Sequence, residues 1–457
     1  MKVLMFSWEF PPLIAGGLAM ACYGMVKSLL ELGVEVDLVL PTKEMVYFPM
    51  KKVEDADTLP TVFLDPEKQK EYNRKFLKKI NTKSETIYNT LHERLEYVGA
   101  NLKPETYISG LELNRWSQVF EKIHATKIYS QETEFVEEKI WENLQEHLSG
   151  DEDIYKKVQE LTLRAERYVQ ELDFDVIHAH DWLTYPAGMI AKRITNKPLV
   201  AHIHATEFDR AGGAGNERVH SLEYDGMTYA DRVICVSKYT ANMIISRYYI
   251  DSGKIRIVHN AYDVDDLLGV KKDRIFKGPT IIFLGRITLQ KGPEYFLELA
   301  KRVLDAHPEA RFIMAGTGDM ARKILHDSAR LKMKNKFVFT GFLNRTDVEH
   351  IFNSVDIFMM PSVSEPFGIA PLEAMAYGVT AIISKQSGVS EVIQNAYKVD
   401  FWDIDKMVEI VNYLIENPDE CREMGDRGRL EVQTIGWDEA SEKILAVYEE
   451  LVLDEKE

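Results

Sequence analysis

The chain has 457 residues, 45% of them hydrophobic, and 56 Lys and Arg against 73 Asp and Glu leave a formal net charge of -17. That length supports two domains with separate cores, and the acidic balance excludes nucleic acid and anionic membrane as default partners. Cys22, Cys235 and Cys421 match no metal or redox spacing, so free thiols in a reducing cytoplasm are expected.

Val3 to Phe6 reads as a short buried strand. The apolar run is too short for a signal-peptide core and soon meets Glu9, Pro11 and Pro12. No segment approaches the length of a membrane span, so membrane association is not expected. An apolar-periodic helix runs to about Leu32, Gly33 suits its cap, and Val34 to Leu40 reads as a second parallel strand. Gly16 and Gly17 fall between the first strand and this helix, where such units place a phosphate turn. They do not form G-x-G-x-x-G, and the pair alone also fits a plain tight turn.

From about Lys43 to Arg167 the alternation is lost, and Pro60, Pro66 and Pro104 break a charged, mostly helical composition. Residues 43–174 are read as a helical insertion in the first domain. Within it, Lys68 to Lys83 is basic with Phe76, Leu77 and Ile80 at helical spacing. A membrane-surface helix and a solvated helix both fit, and the acidic whole favours the second. Asp173-Phe174-Asp175 matches D-x-D, but its helical context makes chance the better account.

Regular pattern returns with a strand ending at His178-Ala179-His180-Asp181-Trp182 and another ending at His202-Ile203-His204-Ala205-Thr206-Glu207. Alternate strand residues share a face, so two His-x-His pairs raise a metal reading. Metal ligands usually need a carboxylate or cysteine completing the shell and further groups supporting it, and structural or sugar-contacting histidines are the preferred reading. Gly212 to Gly215 is read as a mobile loop that could close over a ligand, or as a plain connector. Arg232 to Val236 is a further strand, Ser237 caps the next helix, and Ile255 to His259 is the last strand of this half.

Thr280 to Leu284 opens the second half as a strand, followed by Gly285-Arg286 and Gln290-Lys291-Gly292. Two cations at a strand's carboxyl end suit a diphosphate. Strands at Arg311–Ala315, Phe337–Thr340 and Thr380–Ser384 follow, with turns at Gly316 and at Gly341-Phe342. Val355 to Ser362 reads as a buried strand running into Ser364-Glu365-Pro366-Phe367-Gly368-Ile369-Ala370-Pro371-Leu372-Glu373. Glu365 thus lies at a sheet edge and Glu373 in the next helix, where open α/β sheets bind ligands. Gly368 allows close backbone approach, and helix-start amides suit phosphate. Carboxylates on either side of such a turn suit hydroxyls, as a sugar nucleotide offers. Trp437-Asp438 starts a final amphipathic helix to about Leu453.

Glu365-Pro366-Phe367-Gly368 with Glu373-Ala374-Met375-Ala376 resembles the E-x7-E signature of retaining glycosyltransferases of the GT-B class. Gly285-Arg286 with Lys291-Gly292 resembles the G-R and K-G motif of the same class. Glu9 to Ala19 and His180-Asp181-Trp182 are similar to glycogen and starch synthases. Ala261 stands where the family's interdomain junction usually has glycine, and Gly388-Val389-Ser390-Glu391-Val392 resembles its G-x-x-E-V turn.

The resemblance implies an α/β GT-B fold, with two Rossmann-like domains facing across a cleft. It implies an acceptor-side domain over 1–262, a nucleotide-sugar domain over 263–436, and a helix over 437–457 crossing back to the first domain. It implies Arg286, Lys291, Glu365, His204 and Asp181 as catalytic residues. Gly16, Gly17, Gly316, Phe342, Phe367, Gly368, Ile369, Ala370, Leu372 and Glu373 would bind the donor. The implied reaction moves a hexose, glucose by this likeness, from ADP-glucose or UDP-glucose to an α-glucan, with retention. No metal or other cofactor is expected. The general motifs also fit a mannosyl, sucrose-type or lipid-linked transferase, a nucleotide-sugar epimerase, or a glucan-binding protein without activity.

Overall fold

The computed structural model describes residues 1–10, 17–41, 95–99, 153–263, 278–333, 336–343 and 345–454, with isolated positions at 140, 144, 146–148 and 276. Gly16 and residues 68–83 lie outside the described residues.

The first half builds a seven-stranded sheet from β1 (Lys2–Phe6), β2 (Glu35–Leu40), β3 (Leu95–Gly99), β4 (Val176–His180), β5 (Leu199–Ile203), β6 (Arg232–Cys235) and β7 (Ile255–Ile257). Its order is β3-β2-β1-β4-β5-β6-β7. The second half builds six strands: β8 (Thr280–Leu284), β9 (Arg311–Ala315), β10 (Phe337–Gly341), β11 (Ile357–Met360), β12 (Thr380–Ser384) and β13 (Tyr397–Val399). Their order is β10-β9-β8-β11-β12-β13. Every pairing in both sheets is parallel. Central strands such as Val-Ile-His-Ala-His and Thr-Ala-Ile-Ile-Ser are buried along their whole length. That is the pattern of a parallel sheet covered by helices on both faces. Strand order reverses between β1 and β4, and again between β8 and β11, opening a crevice at each carboxyl edge.

The final helix (Trp437–Asp454) packs on the first helix (Gly17–Glu31), so the chain crosses back to the first sheet as expected. Gly24 makes this possible: a Cβ there would lie 2.1 Å from Trp437 Nε1. Ser28 Oγ donates to Asp438 Oδ1 at 3.2 Å beside it. Ile444, Val447 and Tyr448 then join Val26, Leu29 and Leu30 in one apolar cluster.

Within residues 43–174, read as a helical insertion, the described residues include a strand that the expectation lacks and a helix that agrees with it. Leu95–Gly99 is a strand that pairs with β2 and extends the sheet. Asp153–Glu171 is a regular helix whose Tyr155, Val158, Leu161 and Ala165 share a core with Leu4 and Ile177. An open sheet edge and an uncovered sheet face both draw such segments in. Asp175 of the D-x-D match takes a structural part, its Oδ2 accepting the Lys2 amide at 2.8 Å. Ala261 is buried and is absent from the residues of positive φ, so alanine is accommodated without strain.

Candidate active site

The second half's crevice gathers the turns after β8, β9 and β11. Gly316 has φ +135°, and a Cβ there would lie 1.9 Å from the Gly285 carbonyl oxygen. Only glycine lets these two turns touch. Arg286 beside them is exposed, its nearest polar partner Gln290 Oε1 at 3.5 Å. Lys291 sits one short turn later and pairs with Glu365 Oε2. Ser362 Oγ donates to the same carboxylate oxygen at 3.3 Å. Glu365 is only 6% exposed, so the ion pair is largely shielded from water.

The loop leads into the short helix Ala370–Ala376, with Pro in its first turn and Glu373 half-buried within it. Gly368, Ile369 and Ala370 are half-buried along the way. Phe367 and Leu372 offer a donor their backbone and not their side chains, because both side chains are buried in the core. Phe342, after Gly341, is 67% exposed and free to meet a ring.

On the first half, His178, His180, His202 and His204 project from adjacent strands as a stack. Ring centroids lie 4.3 Å apart for His178 with His180 and for His202 with His204. His180 Nδ1 and His204 Nε2 are hydrogen-bonded at 2.9 Å, and His178 Nε2 and His202 Nδ1 at 3.2 Å. His178 Nδ1 meets the Tyr448 hydroxyl from the final helix. Burial lowers all four pKa values, that of His178 to about 3, so the imidazoles are neutral.

Asp181 follows with φ +57° and 7% exposure. Its Oδ1 accepts the His204 amide at 2.7 Å and the Ala205 amide at 3.4 Å, so it holds the end of β5 in place. Trp182 packs against Tyr155 of the helix Asp153–Glu171, ring centroids 5.9 Å apart. Gly17 begins the first helix, and a Cβ there would meet nothing within 4 Å.

Among the described residues, two sets of ligand atoms come within 4.8 Å of one another: Cys22, His180 and His204, and His178, His180 and His202. Neither donor set suits an ion as it stands. His178 spends both nitrogens on hydrogen bonds, and burial pushes the Cys22 thiol up to about 12, away from the thiolate a metal needs.

Contacts across the crevice were not legible in the sequence. Ser364 Oγ donates to Asp209 Oδ1, and Tyr239 Oη lies 2.9 Å from Ser364 Oγ. Glu391 accepts the Lys238 and Tyr239 amides at 2.9 and 2.8 Å and pairs with His259 at 2.8 Å. Gly212–Gly215 differs from a loose connector: Glu207 Oε1 accepts the Asn216 amide at 3.0 Å, and Leu289 packs on Gly212. The only signals for these pairs were an N-cap at Ser237 and the Glu in the G-x-x-E-V turn.

Known proteins match this chain in sequence and in fold. The family model described as glycosyl transferases group 1 matches residues 270–431, and that described as glycosyltransferase family 4 matches residues 143–266. A glycosyltransferase of Methanocaldococcus jannaschii is 28% identical over 414 residues, 86% of this chain and 83% of that protein. An alpha-maltose-1-phosphate synthase of Mycolicibacterium smegmatis is 29% identical over 309 residues, 60% of this chain and 78% of that protein. Sucrose-phosphate synthase from Thermosynechococcus elongatus has a similar fold, with TM-score 0.67, 15% identity and 99% of each chain covered. So does Anabaena HepE in complex with UDP-glucose, with TM-score 0.64, 15% identity, and 98% of this chain and 100% of that one covered. The two halves thus match two glycosyltransferase family models in chain order, and the fold is that of the GT-B glycosyltransferases. Among the described residues no helix is long and apolar enough to cross a membrane.

Proposed function

We propose that the protein transfers glucose, with retention, from a nucleoside-diphosphate glucose to an α-glucan. One observation carries this reading. Ser364, next to Glu365, is hydrogen-bonded to Asp209, five positions beyond His204 in sequence. The candidate phosphate cations and the candidate sugar contacts therefore belong to one crevice.

In this reading the diphosphate takes the charge of Arg286 and Lys291. Drawing Lys291 away frees the Glu365 carboxylate, an acceptor only, for hydroxyls of the sugar. Negative charge grows on the departing diphosphate, and two fixed cations lower the energy of that state. They take the part a divalent metal plays elsewhere, and no metal is required. Glu373 accepts from the nucleotide ribose, and the exposed Phe342 region meets the base. The acceptor enters from the first half and attacks on the face the diphosphate leaves. A reducing cytoplasm suits the three buried free thiols.

A second acceptor class has a specific observation behind it. The maltose-1-phosphate synthase match covers 78% of that protein, and a Mycobacterium tuberculosis glycogen synthase match covers 54% of its own. A phosphorylated sugar is therefore tested beside the glucan.

The test incubates the protein with UDP-glucose and ADP-glucose, alone, with maltooligosaccharide, and with glucose 1-phosphate. Acceptor-dependent release of diphosphate is expected. Release without acceptor indicates an epimerase or hydrolase, and no release with either donor overturns the reading. EDTA is expected to leave the rate unchanged, and a loss restored by added metal removes the metal-free part.

A further inference from the structure

We propose that His220, Tyr248 and Glu223 hold between them one proton more than a neutral imidazole, a phenol and a carboxylate supply, and that this proton fastens the segment 206–216 where it meets the second half. His220 is thus a positioning residue for the donor site, a role that rests on the reading of function above.

Three hydrogen bonds run in series. His220 Nε2 meets the Ala214 carbonyl, His220 Nδ1 lies 2.9 Å from Tyr248 Oη, and Tyr248 Oη meets Glu223 Oε2. Each bond needs a proton of its own. A carbonyl ends the chain on one side and a carboxylate on the other, and neither donates. The neutral imidazole has one N–H and the phenol one O–H, so two protons serve three bonds. The third sits on His220, as imidazolium, or on the Glu223 carboxyl, and either place completes the chain. Without it, two bare acceptors face each other.

The surroundings keep the proton in. Glu223 is wholly buried, and Tyr248 is buried beside it. Arg210 donates to Glu223, and Arg247 stands over the Phe208 ring that packs on His220. Against these two cations stand four carboxyl groups: Glu223 itself, Glu207 across Gly215 from His220, Asp209 and Asp181. Tyr185 also faces Glu223, and burial keeps its phenol protonated. An excess of carboxylates favours a bound proton. Burial pushes Glu223 up to about 7 and raises Tyr248, so the phenol proton stays.

The fastened segment bridges the crevice. Asp209 accepts from Ser364, next to Glu365. Leu289, which opens the turn carrying Lys291, packs on Gly212. From behind, Glu223 accepts the Glu207 amide at 3.0 Å and holds Arg210, while His220 holds the Ala214 carbonyl. When the proton leaves, the bond from Tyr248 to the ionised Glu223 is charge-assisted and is kept. His220 keeps its bond to Tyr248 as the Nδ1–H tautomer, and its bare Nε2 then repels the Ala214 carbonyl. Ala214 is exposed and gives way, so the loop loosens. The folded Glu223 value lies above its ordinary 4.5, so the fastening is complete at low pH and is lost as pH rises through about 7.

The test uses the full chain. Hydrogen–deuterium exchange of residues 206–216 is followed by mass spectrometry from about pH 6 to about pH 8.5, with times scaled to the intrinsic rate at each pH and Thr380–Ser384 as reference. Donor KM with UDP-glucose or ADP-glucose is measured over the same interval. Wild-type protection of 206–216 is expected to fall about 10-fold as pH rises, with the reference unchanged and KM rising about as much. Tyr248→Phe keeps the ring and removes the middle link. It is expected to show the loosened loop and the raised KM throughout, with no pH dependence of either. Wild-type protection that is flat with pH overturns the proposal without any variant, and so does a Tyr248→Phe protein with the wild-type profile. Protection that falls while KM stays flat overturns the positioning role. Absence of turnover with either donor removes the reading of function instead, and the protection profile still decides whether the chain holds its extra proton.

Discussion

The Lys291 ammonium and the Glu365 carboxylate, 74 residues apart in the chain, form an ion pair at the carboxyl edge of the second sheet. The strands that carry them, β8 and β11, are neighbours at the point where strand order reverses. The pair holds both groups ready without ligand. In the proposed reaction a diphosphate would compete for the lysine, and release of the glutamate would follow from charge balance.

Lys291→Ala removes the cation that the proposed reaction places on the departing diphosphate. The expected kcat is lower by about 100-fold or more, with an unchanged circular dichroism spectrum. Initial rates of diphosphate release check this. A rate within threefold of wild type removes the leaving-group role.

The same variant leaves Glu365 largely buried without its partner. Stability is expected to fall by about 1–3 kcal/mol, and the added change Glu365→Gln to restore part of it, because the orphaned charge is gone. Urea denaturation of both single variants and the double variant measures the coupling. Strict additivity would show that the pair contributes nothing.

Stability should fall on acidification. The four stacked histidines have folded pKa values below the ordinary 6.5, with His178 near 3. The unfolded chain therefore binds more protons below pH 6.5, and each such histidine removes up to about 1.4 kcal/mol per pH unit between 6.5 and its own lowered value, about 3 for His178. Above 6.5 they contribute no slope. Glu223 acts oppositely: burial raises it to about 7, so it lowers stability as pH rises from 4.5 towards 7. His202→Phe isolates the histidine part. Urea midpoints from pH 7 to 5 should drop in the wild type and less steeply in the variant, and equal slopes would rule out the His202 share.

Ser364→Ala breaks the bond to Asp209 across the crevice. A hydrogen bond to a buried carboxylate is worth about 1.5–3 kcal/mol. The closed arrangement is thereby disfavoured, and the KM for donor is expected to rise roughly 10-fold. Small-angle scattering should record a larger radius of gyration. An unchanged KM and unchanged dimensions would deny this bond any part in closure.

Two glycines are expected to answer differently. Gly316→Ala forces a Cβ into the Gly285 carbonyl at positive φ and should cost more than about 2 kcal/mol. Gly17→Ala meets nothing and should leave stability within about 0.5 kcal/mol, while lowering turnover if phosphate approaches this backbone. Thermal melts and rates on both variants separate the structural glycine from the ligand-facing one.

Local chemistry made much of the molecule readable in advance. Runs such as Thr280–Leu284 and Thr380–Ser384 are mostly apolar without alternation because a parallel sheet buries both faces, and helices follow them at their own period. Glu365, Lys291 and His204 could be placed at strand ends because turns and caps announce themselves over a few residues. Leu95–Gly99 and Tyr397–Val399 could not be found that way. Each is short and becomes a strand by completing the edge of an existing sheet.

The meetings between distant side chains were beyond the sequence altogether. Nothing near Lys291 names Glu365, nothing near Asp209 names Ser364, and nothing near His178 names Tyr448. Strand order and two chain crossings bring them together, and both depend on burying apolar surface summed over hundreds of residues. The sequence by itself thus determined which residue types stand at the sheet edges. Only the tertiary structure decided which of them pair, which are buried as core, as Phe367 and Leu372 are, and which nitrogen of His204 is left without a protein partner. Short-range pattern sets local geometry, whereas partner choice is a property of the packed whole.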